Sequence, residues 1–148
     1  MAWRTTQGPT SAFVDSSVWF AAAVARDADN ERAKAILLKQ DHLVTTDHAV
    51  VETWTLLNFR YGYQNAERFL DRMSEAGAQI ETVTIGDLEA ARAASEAFPD
   101  RSFSLADRIS FAVMRRLGLT RVATFSEAFA VYRYGRAQDK SFAVLQTA

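Results

Sequence analysis

Apolar runs of strand length alternate with longer stretches of helical periodicity along the whole chain. Residues 11–15 predict a first short strand, and residues 16–26 predict the helix that follows it. Later apolar runs predict strands at 42–45, 79–83, 121–125 and 142–145. Further helices are predicted at 30–39, 46–62, 65–76, 87–97 and 104–117. Strands that alternate with helices pair in parallel through right-handed crossovers. The pattern therefore predicts an α/β fold with a central parallel sheet of four to five strands, flanked by helices on both faces.

The pattern shows no division into several domains. The 148 residues are a common length for one domain, and no repeat, linker or low-complexity tract interrupts them. We expect residues 1–10 to form a loose N-terminal tail and residues 11–148 to form a single domain. The chain contains no run of about 18 uncharged apolar residues and no apolar signal segment at its start. The sequence therefore predicts a cytoplasmic protein that does not contact a membrane.

Composition and charge exclude several kinds of functional site. There is no cysteine, which excludes disulfides, thiolate nucleophiles and cysteine-based zinc sites. The formal net charge is -1, so the molecule has no overall basic field to attract a polyanion. Any site for nucleic acid must therefore be local.

Three acidic residues fall where an open parallel sheet binds ligands, beyond the carboxyl ends of its strands. Asp15 directly follows the first strand, and Asp107 lies near the start of an apolar helix. Glu52 is the only charge between His48 and Arg60, in a helix that we expect to be buried on most sides. Each acid also has a structural explanation: Asp15 as a helix N-cap, Asp107 in a capping box, and Glu52 on a solvated strip or beside a cation. The sequence leaves both kinds of explanation open.

Electrostatic repulsion indicates what a site built from all three acids would need. Two carboxylates about 5 Å apart repel each other by roughly 3 kcal/mol at an effective dielectric constant of about 20. Three carboxylates that converge therefore need a cation. Oxygen ligands without histidine or cysteine favour Mg²⁺, with Mn²⁺ as a substitute, over zinc.

The order and spacing of four segments resemble the PIN-domain ribonucleases, and specifically the VapC-type toxins of bacterial toxin–antitoxin pairs. The segments are FVDSS at 13–17, TTDHAVVET at 45–53, FSLADRISFAVMRRLG at 103–118 and VATF at 122–125. The resemblance covers residues 12–146 and implies a single PIN-like domain. It also implies a Mg²⁺-dependent endoribonuclease, the toxin of a type II toxin–antitoxin system, that hydrolyses RNA phosphodiester bonds with a metal-activated water.

The resemblance assigns a role to each of the three acids. Asp15 and Asp107 would bind the Mg²⁺ that grips the scissile phosphate, with Glu52 as a further metal ligand or the residue that positions the attacking water. The attack would be an in-line displacement at phosphorus.

The fourth acidic position of the family is different in this chain. Where the family commonly has an aspartate, this sequence has Ser126 followed by Glu127. We expect Ser126 to orient a water on the metal, with Glu127 or Asp100 as alternative replacements for the missing acid. The loss of this acid also favours a second hypothesis, a catalytically impaired PIN-like module that binds RNA or a protein.

The same resemblance implies three partners. These are an RNA substrate, a cognate antitoxin whose C-terminal segment covers the acidic pocket, and a second copy of the chain in a homodimer. Aromatic residues such as Trp54, Phe59 and Tyr61 are candidates for the protein interfaces, but core packing is the default interpretation for them. The candidate contacts to RNA phosphate are Arg108, Arg115 and Arg116, followed by Arg133 and Arg136.

Other aspartate-based and histidine-based enzymes fit the sequence less well. A haloacid-dehalogenase-like phosphatase needs a second acid two residues after the first, where this chain has Ser17. A receiver domain needs a lysine after a later strand, and none of the lysines is suitably placed. A Ser-His-Asp hydrolase is also disfavoured, because His42 and His48 lie close together without a nucleophile-elbow sequence.

Overall fold

The computed structural model describes residues 11–146 and contains five strands and seven helices within that range. The strands are β1 (Ser11–Val14), β2 (His42–Thr46), β3 (Gln79–Glu81), β4 (Arg121–Ala123) and β5 (Ala143–Val144). The helices are α1 (Ser16–Ala23), α2 (Asn30–Leu38), α3 (Asp47–Tyr61), α4 (Tyr63–Ala76), α5 (Ile85–Ala97), α6 (Leu105–Leu117) and α7 (Ala128–Val131). The tail predicted at residues 1–10 lies outside the described residues.

All five strands pair in parallel, in the order β3-β2-β1-β4-β5. From β1 the chain first builds the sheet in one direction through β2 and β3, and later in the other through β4 and β5. The strand order thus reverses between β1 and β4, where open α/β sheets form a crevice for ligands. The predicted α/β class and parallel sheet are confirmed.

Helices cover both faces of the sheet and enclose one apolar core on each side. Adjacent side chains of a strand point to opposite faces, so Phe13 enters one core and Val14 the other. The Val14 core packs against helices α1 to α4, and the Phe13 core packs against α5 to α7. The four residues of β1 are all buried, as expected of a central strand in a parallel sheet.

The structure corrects several predicted boundaries. Helix α1 ends at Ala23 rather than at residue 26, because Val24 turns extended and still buries its side chain. The predicted gap between α3 and α4 shrinks to Gly62, whose φ of 90° lies in a region that favours glycine. Helix α7 was not predicted, because four residues are too short to show helical periodicity.

Helix α3 is more exposed than the sequence pattern indicates. We expected its apolar residues to be buried on most sides, but Val51 is 63% exposed and Phe59 is 84% exposed. Helix α3 buries only one stripe, formed by Ala49, Thr53 and Leu57. No helix among residues 11–146 is both long and apolar enough to cross a membrane.

Candidate active site

A cavity of about 420 Å³ opens at the carboxyl ends of β1 and β4. We call it the acid pocket. The starts of α1 and α6, one side of α3 and the loop between α1 and α2 complete its walls. Its charged lining residues are Asp15, Asp27, Asp29, Glu52, Arg60 and Asp107. The three acids predicted from the sequence therefore line one cavity.

Asp15 is held at the end of β1 by the neighbouring strand. Its backbone N–H donates to the carbonyl of Ala123 at 3.0 Å, and its side chain is only 8% exposed. Its Oδ2 accepts hydrogen bonds from Ser17 Oγ at 2.7 Å and from Thr124 Oγ1 at 3.0 Å. Burial raises the pKa of the Asp15 carboxyl, although these hydrogen bonds act in the opposite direction. Asp15 precedes α1, but its main side-chain partners are the hydroxyls of Ser17 in α1 and of Thr124 directly after β4.

Glu52 reaches the acid pocket from the side of α3. Its Oε1 accepts a hydrogen bond of 2.5 Å from Ser16 Oγ, the residue directly after Asp15. The side chain is half-buried, and within residues 11–146 it forms no ion pair with an arginine or lysine. Glu52 therefore points towards Asp15 rather than into bulk water.

Asp107 has two separate functions at the start of α6. Its backbone N–H donates to Ser104 Oγ at 3.0 Å, so Ser104 caps the helix. The Asp107 carboxylate accepts from Ser126 Oγ at 3.4 Å and also interacts with the Ser104 hydroxyl. Burial raises the pKa of this carboxyl, and the negative charges of Asp15 and Glu52 raise it further. This mutual repulsion means that the three acids are electrostatically coupled.

Residues 124–126 connect Asp15 to Asp107. Thr124 Oγ1 donates to Asp15 and accepts from the backbone N–H of Ser126 at 2.9 Å. Ser126 in turn donates its hydroxyl to Asp107. The predicted site residue Ser126 is therefore in the acid pocket and in contact with a carboxylate. Its hydroxyl can hold a carboxylate in place but adds no charge.

The two acids suggested as replacements at the fourth position lie elsewhere. Glu127 lines a neighbouring cavity on the other side of the 124–126 segment. Asp100 is in an exposed turn after α5. The additional acids of the pocket are instead Asp27 and Asp29, from the loop between α1 and α2. Sequence reasoning missed these two residues, because only the folded loop brings them to the cavity.

The family model described as PIN domain matches residues 12–133 of the chain. This chain belongs to the PIN-domain family. The resemblance inferred from the four sequence segments is thereby confirmed, and the acid pocket lies within the matched range.

This PIN domain is similar to curated and solved proteins. It is 35% identical over 118 residues to the "23S rRNA-specific endonuclease VapC20" of Mycobacterium tuberculosis, from strain H37Rv and from strain CDC 1551, with 79% of this chain and 90% of the relative covered. The crystal structure of M. tuberculosis VapC20, titled a sarcin–ricin loop cleaving toxin, superposes with a TM-score of 0.75 at 33% identity, covering 81% of this chain and 93% of VapC20. A toxin–antitoxin complex from Klebsiella pneumoniae shares the fold, with a TM-score of 0.64 at 16% identity, covering 93% and 98% of the two chains.

The arginines predicted to contact phosphate have other partners in this PIN domain. Arg108 donates to the backbone carbonyls of residues 91 and 103, and Arg115 donates to the hydroxyl of Tyr132. Arg116 pairs with Asp87 at 3.0 Å. None of the three lines the acid pocket, and as phosphate contacts they stay predictions. The arginine that does line it is Arg60, which was not predicted.

The donor set of the PIN-domain pocket suits a hard cation. Its side-chain donors are carboxylate and hydroxyl oxygens, without a histidine. Among the described residues, no three acidic or histidine side chains converge closely enough to form a metal shell by themselves. Mg²⁺ does not need such a shell, because it usually binds one or two carboxylates and keeps several waters or substrate oxygens. Asp15 and Asp107 therefore fit Mg²⁺ or Mn²⁺ better than zinc.

Proposed function

We propose that this PIN domain is a Mg²⁺-dependent endoribonuclease, the toxin of a type II toxin–antitoxin pair. One observation carries the proposal: Asp15, Glu52 and Asp107 come from three separate parts of the chain and line one pocket, where burial and the charges of Asp15 and Glu52 raise the pKa of Asp107. Holding three acids together costs stability, and a bound cation would offset that cost. The similarity to VapC20 over most of both chains supports the nuclease class.

In the proposed mechanism Asp15 and Asp107 would hold the metal, and the scissile phosphate would enter the open side of the acid pocket. Bound Mg²⁺ would supply charge neutralisation at the phosphate and would acidify a water. The hydroxyls of Ser17, Thr124 and Ser126 keep the two aspartates oriented. Glu52, which accepts a hydrogen bond from Ser16, would orient the attacking water or accept its proton.

Ribosomal RNA is the first substrate to test. VapC20 is named as specific for 23S rRNA and as cleaving the sarcin–ricin loop. We propose that this chain also cleaves a structured loop of ribosomal RNA in the cytoplasm. A cognate antitoxin and a homodimer are further proposals, supported by the exposed apolar side chains of Val51, Phe59 and Tyr63 on α3 and α4.

The experiment is incubation of purified protein with total RNA and with intact ribosomes, with and without Mg²⁺. Wild-type protein should produce discrete fragments only with Mg²⁺, and Asp15→Asn and Asp107→Asn should lose this activity. Asp100→Asn and Glu127→Gln are matched controls, because they remove acids that do not line the acid pocket. Equal cleavage by all variants would indicate a contaminating nuclease and contradict the proposal.

The second candidate function is a PIN domain that binds RNA or protein without cutting. The presence of Ser126 in place of the fourth acid favours it, because one fewer carboxylate lowers the attraction for a cation. Calorimetric titration with Mg²⁺ or Mn²⁺ separates the candidates. Site-specific binding that Asp15→Asn removes would support the nuclease, and the lack of such binding would support the inactive module.

A further inference from the structure

A second cavity, of about 290 Å³, lies between α3, α4 and the chain segment that follows α1. We call it the arginine cavity, because Arg26, Arg68 and Arg72 line it. Its remaining polar residues are Tyr61 and Asn65, and its apolar wall consists mainly of Val24, Leu57 and Phe69. No carboxylate is among the residues that line it.

Within residues 11–146 none of the three arginines forms an ion pair, although Asp27 follows Arg26 and Asp71 precedes Arg72. Arg68 instead donates to the side-chain oxygen of Asn65 at 2.9 Å. Three cations around one concave surface raise the local positive potential, in a molecule whose net charge is -1. The cavity is therefore suited to an anion.

A continuous row of side chains, with an arginine at each end and two aromatic rings between them, joins this cavity to the acid pocket. The guanidinium of Arg60, in the acid pocket, lies 5.6 Å from the ring centre of Phe20. The Phe20 ring lies 6.2 Å from Tyr61, and the guanidinium of Arg26 lies 5.8 Å from the Tyr61 ring. The aromatic rings hold these guanidinium groups in defined positions. The row forms one surface that leads out of the acid pocket.

We propose that the arginine cavity binds a backbone phosphate of the RNA strand whose scissile bond enters the acid pocket. The inference rests on the proposed nuclease function and adds the path that the RNA strand follows away from the acid pocket. Glu52 and Tyr61 lie on the same helix nine residues apart, which corresponds to about 14 Å along α3. The bound phosphate would thus lie a few nucleotides away from the cleaved bond.

Electrostatics explains why such a subsite is needed. The acid pocket carries Asp15, Asp27, Asp29, Glu52 and Asp107, and this excess of negative charge repels RNA in the absence of metal. Affinity for the strand must come from a separate positive surface. Arginine binds phosphate oxygens through two parallel N–H groups, and the weak hydration of its guanidinium lowers the cost of that contact. Once a cation occupies the acid pocket, a ligand with negative charges at intervals, such as an RNA strand, can bind at both cavities.

The test measures the binding of a short fluorescent single-stranded RNA in EDTA, in an Asp107→Asn background that does not cleave. We expect Arg68→Ala/Arg72→Ala to raise Kd about tenfold or more, and Arg26→Ala to raise it by a smaller factor. The dependence of log Kd on log salt should become shallower, by about 0.7 for each lost phosphate contact. Arg68→Lys/Arg72→Lys keeps the charge but not the planar fork of the guanidinium. Its Kd should fall between those of the parent protein and the double alanine variant. The matched control is Arg92→Ala, an exposed arginine on α5, on the opposite face of the sheet.

The outcomes separate this inference from the proposed function. If the double alanine variant binds RNA as tightly as Arg92→Ala, with an unchanged unfolding temperature, the inference fails even where wild-type protein cleaves RNA. Should RNA binding depend on the arginines while wild-type protein cleaves nothing, the cavity stands as an RNA subsite and the nuclease proposal fails. Binding of poly-glutamate that the double variant loses, with RNA binding intact, would overturn the inference and assign the cavity to an acidic polypeptide.

Discussion

Helices α5 and α6 begin with the same sequence pattern, yet their aspartates have opposite electrostatic environments. Thr84 caps α5 and Ser104 caps α6, and each accepts a hydrogen bond from the backbone N–H of the aspartate three residues later. Asp87 returns the bond, because its Oδ2 accepts from the backbone N–H of Thr84 at 2.9 Å. The Asp107 carboxylate instead interacts with the hydroxyls of Ser104 and Ser126. The same capping pattern thus binds its carboxylate to backbone in α5 and leaves it lining the acid pocket in α6.

The difference is visible in the direction of the two pKa shifts. Burial acts to raise the pKa of Asp87, but hydrogen bonds from Arg116 and Thr84, and the charge of Arg116, outweigh it and lower the pKa. Burial also acts on Asp107, whose charged neighbours are Asp15 and Glu52, and its pKa is raised. The capping motif therefore does not predict the direction in which the pKa of its aspartate shifts. That direction depends on the charges that the fold brings next to the carboxylate.

The largest expected contrast between the two aspartates is in catalysis. Asp107→Asn should lower Mg²⁺-dependent RNA cleavage by about 100-fold or more, equivalent to about 2.7 kcal/mol of activation free energy. Asp87→Asn should leave the activity of the folded protein unchanged, because Asp87 does not line the acid pocket. Rates measured at protein concentrations corrected for the folded fraction test this. An unchanged rate for Asp107→Asn after this correction would mean that Asp107 acts only through stability.

The second contrast concerns stability, where we expect the larger effect at Asp87 rather than at Asp107. Asp87→Ala should lower the free energy of unfolding by about 1–3 kcal/mol, because it removes a capping bond and the charged hydrogen bonds from Arg116. We expect a value in the lower part of this range, because the side chain of Arg116 is 37% exposed and solvent screens its charge from Asp87. Urea unfolding of the variant beside Arg116→Ala and the double variant would measure the coupling. Additive effects would show that the ion pair contributes nothing.

Metal binding should stabilise the protein through one aspartate and not the other. Mg²⁺ at ten times its Kd should raise the free energy of unfolding by about 1.4 kcal/mol, since it binds the folded state only. Asp87→Asn should retain this increment and Asp107→Asn should lose it. Thermal unfolding with Mg²⁺, with Ca²⁺ and with EDTA is the measurement. A Mg²⁺ increment that persists in Asp107→Asn would remove Asp107 from the proposed metal site.

The smallest expected effect is the pH dependence of stability without metal. The raised pKa of Asp107 means that the folded state holds this proton more tightly than the unfolded state, so stability falls as pH rises through the folded pKa. Asp107→Asn in EDTA should then be more stable than wild type at neutral pH, with a difference that shrinks towards pH 4. The lowered pKa of Asp87 has the reverse sign, and its contribution is lost as pH falls through the folded value. Parallel pH dependences for Asp107→Asn and Asp87→Asn would contradict the comparison.

The order of strands and helices was predictable because it depends on local patterns. Parallel strands need crossovers and buried apolar runs, and both leave signals within a few residues of each other. The exposure of α3 was not predictable in this way. Val51 and Phe59 have the hydrophobicity of core residues, and only the positions of the other elements leave them uncovered.

Periodicity and strand–helix order are local properties, so they were enough to predict the fold class and to put Asp15 at the carboxyl end of a central strand. The rest of the site depends on contacts between distant parts of the chain. The hydrogen bond from Thr124 to Asp15 spans 109 residues, and the one from Ser16 to Glu52 spans 36. Tertiary packing also gives Arg108, Arg115 and Arg116 partners outside the acid pocket. It brings Arg60 to the pocket instead. Such partners depend on how distant elements pack, and no local pattern encodes that.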